Sequence, residues 1–409
     1  MRKNSHFSGQ PLYGQVIKLL DKSKILAYSR NNGGERYTKR FNCWIHLVVM
    51  LYAVIMRFDS LREITASLLA ETRKLSHLGI TFKIGRSTLA DANKRRPEYI
   101  FEAIYRDLYA TYRYALSSDS RSGKTPKWMK RLQIIDSTTI TLFSNLLFKG
   151  VGRHPKTGKK KGGIKVHTVI HANEGVPSDI KFTSTATNDS FMLKPSTLSK
   201  GDIMAMDRAY IDYEKFEQLT QRGVIYVTKM KKNLKYAILS DTMYQTPDGL
   251  MEVRIQNVEF TKPKKGGETI RHKSRIITYA DVKKHKLISL LTNDMDSDPK
   301  EIVAIYRQRW EIELLFKQMK QNFPLKYFYG ESANAIKIPI WVTLIANLLL
   351  MVMQKGLSRK WSFSGLATMV RITLMYYVDF HSLFNNPEKE WEIILSVASG
   401  APPEPSLFD

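Results

Sequence analysis

The hydrophobic period of this sequence changes once, and that change restricts the chain to a mixed α/β fold. Up to about residue 120 the apolar residues form long runs rich in Leu, Ala, Ile and Met, which are typical of helices. From Arg131 onward they recur in short β-branched runs separated by Gly, Pro, Asn and Lys, which are typical of strands. We therefore predict an all-helical domain followed by a domain built on a sheet.

Individual elements follow from the same patterns. The amino-terminal helices are predicted at Trp44–Met56, Leu61–Leu75 and Thr88–Leu116. The strands are predicted at Arg131–Leu142, Ile164–Ala172, Pro177–Thr185, Ile203–Met206, Val224–Thr228, Met251–Phe260, Ile270–Tyr279 and Leu287–Thr292. A helix at Tyr213–Gln221 lies between the fourth and fifth strands. A long helix at Pro299–Asn322 is favoured because Asp298 can cap it and Pro299 suits its first position.

The charge of the chain points to a polyanionic partner. There are 64 Lys and Arg residues against 38 Asp and Glu residues, for a net charge of +26, while 43% of the residues are hydrophobic. A chain this apolar buries a core and is not a disordered polycation, so nucleic acid is the default partner. The single cysteine, Cys43, excludes a disulfide framework and favours a reducing compartment. The apolar runs Trp44–Met56 and Ile338–Met353 are predicted as buried helices, because a membrane span needs about 20 apolar residues.

Two aspartates follow apolar strand patterns. Asp136 lies within a strand, and Asp207 comes directly after the run Ile203–Met206. If the two strands are neighbours, their spacing of about 4.8 Å brings both carboxylates to one point. Two such acids repel each other, and a divalent cation between them resolves the repulsion. The alternative for Asp136 is an aspartate at a strand end that accepts hydrogen bonds in a turn.

The long helix adds a third carboxylate. Tyr306, Arg309, Glu313 and Lys320 lie at spacings that place them on one helical face. One acid flanked by two bases and a phenol suits a site that holds a metal and binds phosphates beside it. The alternative is a solvated face with ion pairs.

The spacing of these four residues matches a known signature. The pattern Tyr306-x2-Arg309-x3-Glu313-x6-Lys320 resembles that of the DDE transposases of bacterial insertion sequences, in the insertion-sequence-four family. The segments Asp136-Ser137-Thr138 and Asp207-Arg208-Ala209-Tyr210 resemble the blocks that carry the family's two catalytic aspartates. Family members often have His where Asn188 precedes Asp189, so Asp189 is left out of the predicted catalytic set.

The resemblance implies a fold, an activity and a cofactor. The expected fold is a ribonuclease-H-like catalytic core, interrupted by a β-rich insertion and preceded by an all-helical DNA-binding domain. Asp136, Asp207 and Glu313 would hold two Mg²⁺ or Mn²⁺ ions per active site. One ion would activate the attacking oxygen and the other would stabilise the leaving 3′ oxygen, first in cleavage of the element's ends and then in strand transfer to target DNA. Tyr306, Arg309 and Lys320 would hold the DNA backbone at the transposon end.

These expectations give a domain plan. We predict a helical DNA-binding domain at 1–120, a first part of the core at 121–222, the insertion at 223–297, a second part of the core at 298–357 and a carboxy-terminal helical segment at 358–409. Further DNA contacts are predicted for exposed basic residues outside the signature: Lys317, Lys159, Lys160, Lys161, Arg95 and Arg96. His167 and His171 lie at strand spacing and are predicted to be a solvent-facing pair rather than metal ligands.

The partners are double-stranded DNA, as terminal inverted repeats and target, and a second copy of the chain on that DNA. No membrane and no small-molecule substrate are expected, and the predicted location is the bacterial cytoplasm in association with the nucleoid. Two alternatives remain open at this stage. One is a ribonuclease-H-like endonuclease without strand transfer, and the other is a DNA-binding regulator with no catalytic activity.

Overall fold

The structure is a computed structural model that divides into two compact units. It describes residues 9–117, 125–141, 163–185, 187–245, 252–263, 267, 269–281, 285–325, 328–389 and 391–392. One unit combines residues 1–115 with residues 318–409, and the other comprises residues 116–317.

The unit of residues 116–317 is built on one mixed sheet. Its strands are β1 (Leu132–Thr141), β2 (Gly163–His171), β3 (Pro177–Ser184), β4 (Ile203–Met206), β5 (Ile225–Lys229), β6 (Ala237–Gln245), β7 (Glu252–Pro263), β8 (Thr269–Asp281) and β9 (Lys286–Thr292). Their order in the described sheet is β3-β2-β1-β4-β5-β9-β8-β7-β6. β1, β2 and β3 pair antiparallel, whereas β4 pairs parallel with both β1 and β5. The neighbouring position of β1 and β4, on which the two-aspartate prediction depends, is therefore confirmed.

The strands after residue 230 extend the same sheet. β9 pairs antiparallel with β5, and β8, β7 and β6 follow in antiparallel order. β6 was not predicted as a strand. Its side chains are exposed at all but one position, so it lacks the alternation of buried and exposed residues that marks a strand in sequence.

Two helices pack on this sheet within the same unit. α8 (Tyr213–Gln221) contacts β5 and β8, and α9 (Pro299–Gln308) contacts β4 and β5. Phe216 of α8 is fully buried and stacks on Tyr226 of β5, with 4.0 Å between ring centroids. The predicted bounds of α8 are confirmed, and Asp298 caps α9 by accepting a hydrogen bond of 2.7 Å from Lys300 N–H.

The other unit contains helices and no strand among its described residues. Its helices before residue 116 are α1 (Leu12–Ile17), α2 (Lys22–Asn31), α3 (Cys43–Met56), α4 (Leu61–Ala70), α5 (Thr72–Leu75), α6 (Arg86–Arg95) and α7 (Glu98–Leu116). The later helices are α10 (Trp310–Asn322), whose last residues belong to this unit, α11 (Ala333–Lys355), α12 (Phe363–Thr373) and α13 (Phe380–Asn385). α3 and α11 pack against each other, and most residues of each helix are buried.

α11 is long and apolar enough to cross a membrane by length and composition, but 89% of its most apolar stretch is buried inside the protein. α3 passes the same test only together with α4, from which it is bent by 100°. A mostly buried apolar helix is also what the core of a folded domain requires. The prediction of a buried helix in each segment agrees with the burial of their residues.

Three predicted helices are broken in the structure. The run Leu61–Leu75 is divided into α4 and α5 at Glu71. The run Thr88–Leu116 is divided into α6 and α7 at Arg96, because Pro97 disfavours helical backbone in the residue before it. Gly85 precedes the first turn of α6, so the helix begins at Arg86, two residues earlier than predicted. The run Pro299–Asn322 is divided into α9 and α10 at Arg309, and the sequence has no Pro or Gly there to signal the break.

Candidate active site

The two predicted aspartates lie side by side on neighbouring parallel strands. Ile135 of β1 is paired with Met206 of β4, so the next residues in each chain, Asp136 and Asp207, reach the same level of the sheet. Each carboxylate accepts a hydrogen bond of 2.7 Å from the backbone N–H of the following residue, Ser137 or Arg208. The pleat and the register therefore place the two acids together where β4 ends, between two interior strands of the sheet.

Glu313 is connected to this pair through Arg309. Nη1 of Arg309 lies 2.6 Å from Oε1 of Glu313 and 3.6 Å from Oδ2 of Asp136. Arg309 occupies the break between α9 and α10, and Glu313 lies one turn further along α10. The side chains of Arg309 and Asp136 are 13% and 20% exposed, so their interaction is only partly screened by solvent.

Burial and neighbouring charge both act on Asp136. Burial raises the pKa of the Asp136 carboxyl to about 6, and the carboxylates of Asp207 and Glu313 add to the increase. The Ser137 N–H and the Arg309 guanidinium oppose it. The site therefore holds more negative charge than its own cation neutralises, which is the condition under which a further cation is attracted.

The three carboxylates are of the kind that binds a hard divalent cation, but the described side chains are not arranged around a single metal position. Carboxylate oxygens are the ligands that Mg²⁺ and Mn²⁺ prefer. Among the residues that the structure describes, no group of three His, Cys, Asp or Glu side chains is placed to hold a metal ion. The guanidinium of Arg309 instead lies between Asp136 and Glu313.

Tyr306, the first residue of the predicted signature, lies partly buried beside Arg309. The guanidinium of Arg309 lies over its ring, 5.6 Å from the centroid, and burial raises the pKa of its phenol. Nε of Arg309 is buried and has no hydrogen-bond partner among the described residues, so an incoming acceptor could use it. Lys317 is exposed on α10, and Lys320 is exposed on the same helix but belongs to the helical unit.

A polar cluster beside Asp136 was missed by the sequence analysis. Asp189 accepts a hydrogen bond of 2.6 Å from Oγ of Ser137 and lies 3.1 Å from Nζ of Lys165. His167 is fully buried next to it, with Nδ1 3.6 Å from Asp189, and its Nε2 is 2.7 Å from Oγ1 of Thr183. The prediction that His167 faces solvent is therefore wrong. The sequence signal for this cluster was Asp189 itself, which the predicted catalytic set omits because Asn188 stands where family members often have His.

The predicted basic contacts on the helical unit differ in exposure. Arg95 is exposed on α6 and forms an ion pair of 3.2 Å with Asp91. Arg96 is 5% exposed and donates hydrogen bonds to the carbonyl oxygens of Gly34, at 3.1 Å, and Phe41. The expected exposure of Arg96 is therefore wrong. Lys159, Lys160 and Lys161 lie outside the described residues.

Two models of protein families match segments of this chain. A family model described as "Transposase DDE domain" matches residues 127–349, which include Asp136, Asp207 and Glu313. A second model, described as "Domain of unknown function (DUF4372)", matches residues 8–81 in the helical unit.

Three curated relatives carry the name of a transposase. The y4zB protein of Sinorhizobium fredii is 28% identical over 66% of this chain and 71% of its own length. The protein of insertion sequence element IS5377 of Geobacillus stearothermophilus is 23% identical over 67% and 69% of the two chains. The protein of element IS4SA of Synechocystis is 25% identical over 68% and 74%.

A solved structure also aligns with the chain. It is that of a piggyBac transposase synaptic complex with hairpin DNA, and the alignment covers 96% of this chain and 86% of that one at 12% identity and a TM-score of 0.44.

Proposed function

Because this chain belongs to the family of transposases with a DDE domain, we propose that it cleaves DNA at the ends of an insertion sequence and joins the freed 3′ hydroxyl to target DNA. The observation that carries the proposal is the pairing of β1 with β4, which brings Asp136 and Asp207 to the same level of the sheet beside Arg309 and Glu313.

We assign Asp136, Asp207 and Glu313 as the ligands of two Mg²⁺ or Mn²⁺ ions. The excess negative charge at Asp136 supports this assignment. When the ions bind, Glu313 would give up its ion pair with Arg309 and contact the ions instead. Bound ions of this kind supply Lewis acidity at the attacking and leaving oxygens of a phosphodiester.

The residues of the chain would align the DNA for in-line displacement at phosphorus. Arg309, released from Glu313, offers a planar fork of donors to a phosphate, and its buried Nε has no competing acceptor among the described residues. Tyr306 holds the guanidinium from one side through its ring. Lys317, Lys320 and Arg95 are exposed and would contact the backbone further along the DNA, as would Lys159, Lys160 and Lys161. Arg96 is buried, so we do not include it among these contacts.

The strand order supports a ribonuclease-H-like core. Three antiparallel strands (β1, β2 and β3) and two parallel ones (β4 and β5) carry Asp136 and Asp207 on adjacent strands, and a helix that follows carries Glu313. We infer that the family's insertion is the part of the predicted segment 223–297 that follows β5, where β6, β7, β8 and β9 extend the core sheet. We further propose that the helical unit binds DNA, that the protein acts as a homodimer on DNA, and that it works on the bacterial nucleoid in the cytoplasm.

The test compares wild type with Asp207→Asn on DNA that carries the element's ends, in Mg²⁺. Loss of cutting with DNA binding retained supports the proposal, because the amide keeps the shape of the side chain and removes its charge. Equal behaviour of the two proteins would overturn it. An endonuclease that cuts but yields no joined product would favour the first alternative, and binding without any cutting by wild type would favour the regulator.

A further inference from the structure

A large cleft lies within the helical unit, and none of the three carboxylates of the candidate active site lines it. Its volume is about 950 Å³, and it is bounded by the loop between α2 and α3, by residues before α6, and by the start of α7. Its charged lining is basic throughout: Arg36, Lys39, Arg40, Lys83, Arg95 and the buried Arg96. Its lining also includes the aromatic residues Tyr37, Phe82 and Tyr99. We call it the basic–aromatic cleft.

The positive charge of the cleft is mostly unneutralised. Arg36, Lys39, Arg40 and Lys83 are exposed, and the structure gives none of these four an ion pair with a described carboxylate. Glu35, the acid within the same loop, instead accepts a hydrogen bond of 2.8 Å from Cys43 N–H. Four close cations without acidic partners repel one another, and a polyanion in the cleft would relieve that repulsion.

Two aromatic side chains of the cleft are exposed to solvent, although large rings are usually buried. The side chain of Tyr37 is 94% exposed, and that of Tyr99 is 49% exposed. Tyr37 also has a φ of 56°, in the left-handed region that a bulky residue seldom adopts. Such strain persists only where the surrounding structure imposes it, and it is concentrated at functional sites.

The loop that presents Tyr37 is held at both ends. The buried guanidinium of Arg96 donates to the carbonyl oxygens of Gly34 and Phe41, which lie on either side of Tyr37. A Cβ on Gly34 would lie within 2.5 Å of both Oγ of Ser29 and Cδ1 of Ile100, so a larger residue would have to displace these buried side chains. Nη1 of Arg96 has no hydrogen-bond partner among the described residues. The fold thus fixes an exposed ring among four unpaired cations.

We propose that the basic–aromatic cleft binds single-stranded DNA, with a base stacked on Tyr37 and phosphates bound by Arg36, Lys39 and Arg40. Base stacking on aromatic rings combined with a basic groove is the general mode of single-strand recognition. A duplex is read by elements that project into its grooves, whereas a concave cleft accepts bases that have left the helix.

This inference rests on the proposed function for the source of the ligand, because DNA cleavage creates strand ends whose bases can unpair. The binding itself is a property of the helical unit and needs no catalysis. The two proposals can therefore be tested separately.

The test measures binding of the full-length protein to a short fluorescent oligothymidylate by anisotropy, in EDTA. We expect Tyr37→Ala and Tyr37→Asn to weaken binding about tenfold, while Tyr37→Phe binds like wild type because stacking is kept. Asn is accommodated at positive φ, so Tyr37→Asn removes the ring without straining the loop. Tyr114→Ala is the matched control, because Tyr114 is 79% exposed on α7 in the same unit. The inference is overturned if the Tyr37 variants bind the oligonucleotide like wild type or Tyr114→Ala.

The charges are tested by salt dependence. Replacing Arg36, Lys39 and Arg40 together by Ala should reduce the slope of log K against log salt by about 2, since each single-strand phosphate contact contributes roughly 0.7. A triple variant of Lys22, Arg62 and Lys360, which are exposed elsewhere on the unit, is matched in charge and should keep the wild-type slope. Equal slopes for the two triple variants would contradict the assignment.

Asp207→Asn separates this inference from the proposed function. It should abolish cleavage and leave oligonucleotide binding at the wild-type level. If wild type does not cut DNA but binding still depends on Tyr37, the proposed function fails and the cleft assignment stands. If cutting depends on Asp207 but binding is independent of Tyr37, only the cleft assignment fails.

Discussion

The guanidinium of Arg309 lies 2.6 Å from the carboxylate of Glu313, so the cation nearest the proposed metal ligands is supplied by the protein itself. The same Nη1 lies 3.6 Å from Asp136. One arginine therefore competes with any incoming ion for two of the three carboxylates. Under the proposed function, Arg309 would neutralise the site before metal binds and would bind phosphate afterwards.

Replacing Arg309 by Gln should separate these two functions. Without the competing cation we expect Mn²⁺ to bind the free protein about tenfold more tightly, a change of about 1.4 kcal/mol. Cleavage of end-bearing DNA should nevertheless fall, because the phosphate loses its planar donor. Calorimetric titration with Mn²⁺ measures the first effect. Lys317→Gln is the control, because Lys317 is exposed on α10 one turn after Glu313 and carries the same charge as Arg309. It should leave the Mn²⁺ affinity unchanged. Equal Mn²⁺ affinity in the two variants would contradict the proposed competition.

Asp189 should act as a positioning residue for Asp136. It fixes Ser137 through a hydrogen bond of 2.6 Å, and the Ser137 N–H in turn donates to Asp136. We expect Asp189→Asn to slow single-turnover cleavage about tenfold, because the amide weakens the contacts to Ser137 and Lys165. DNA affinity should not change. Glu252→Gln, an exposed carboxylate change on β7, is the control, and similar cleavage rates for the two variants would refute the role of Asp189.

The parts of the site that could be predicted from sequence are those set by local patterns. Asp136 and Asp207 could be found because a carboxylate in or directly after an apolar strand is unusual, and their proximity then required only that two strands be neighbours. Glu313 and Arg309 could be paired because residues four apart face each other on a helix.

The parts that could not be predicted depend on contacts between distant segments. Asp189 reaches Ser137 and His167 only because β1, β2 and the chain after β3 meet in the sheet, and no local period encodes that meeting. The break at Arg309 likewise has no Pro or Gly to announce it. The burial of Arg96 was missed for a similar reason, because its partners, Gly34 and Phe41, lie more than fifty residues earlier. Pro97, in contrast, is a local signal for the end of α6 that the predicted helix Thr88–Leu116 did not take into account.

Arg96 should stabilise the loop that carries Tyr37. Arg96→Met would leave the carbonyl oxygens of Gly34 and Phe41 without their donor, and each buried unsatisfied group costs about 1–3 kcal/mol. We expect a decrease of about 2–4 kcal/mol in the free energy of unfolding, measured with urea, together with weaker oligonucleotide binding. Arg95→Met, an exposed change at the preceding residue, should alter stability by less than about 0.5 kcal/mol. Equal losses in the two variants would show that Arg96 does not clamp the loop.

His46 should make the helical unit sensitive to acid. Burial lowers the pKa of His46 well below its usual value, and the nearby charge of Arg96 adds to the decrease. The ring is surrounded by Phe41, Phe101 and Asn93, whose Oδ1 lies 2.9 Å from Nε2 of His46. No carboxylate that would favour the protonated form is among the described groups that act on its pKa.

The sign of the effect follows from this decreased pKa. Above about pH 6.5 both states carry a neutral His46, but below it the unfolded chain takes up a proton that the folded chain does not. The free energy of unfolding should therefore fall as the pH is lowered, by up to about 1.4 kcal/mol per pH unit for this residue. Urea unfolding between about pH 7.5 and about pH 5 measures the slope. The unfolded-state protonation of His167 and His272 adds to it, since burial lowers the pKa of each. Asp136, whose pKa is raised to about 6, takes up a proton in the folded state and opposes it. His46→Gln should reduce that slope by the contribution of one proton. An unchanged slope would mean that His46 takes up its proton over the same pH range in the folded and unfolded states, so that burial does not lower its pKa.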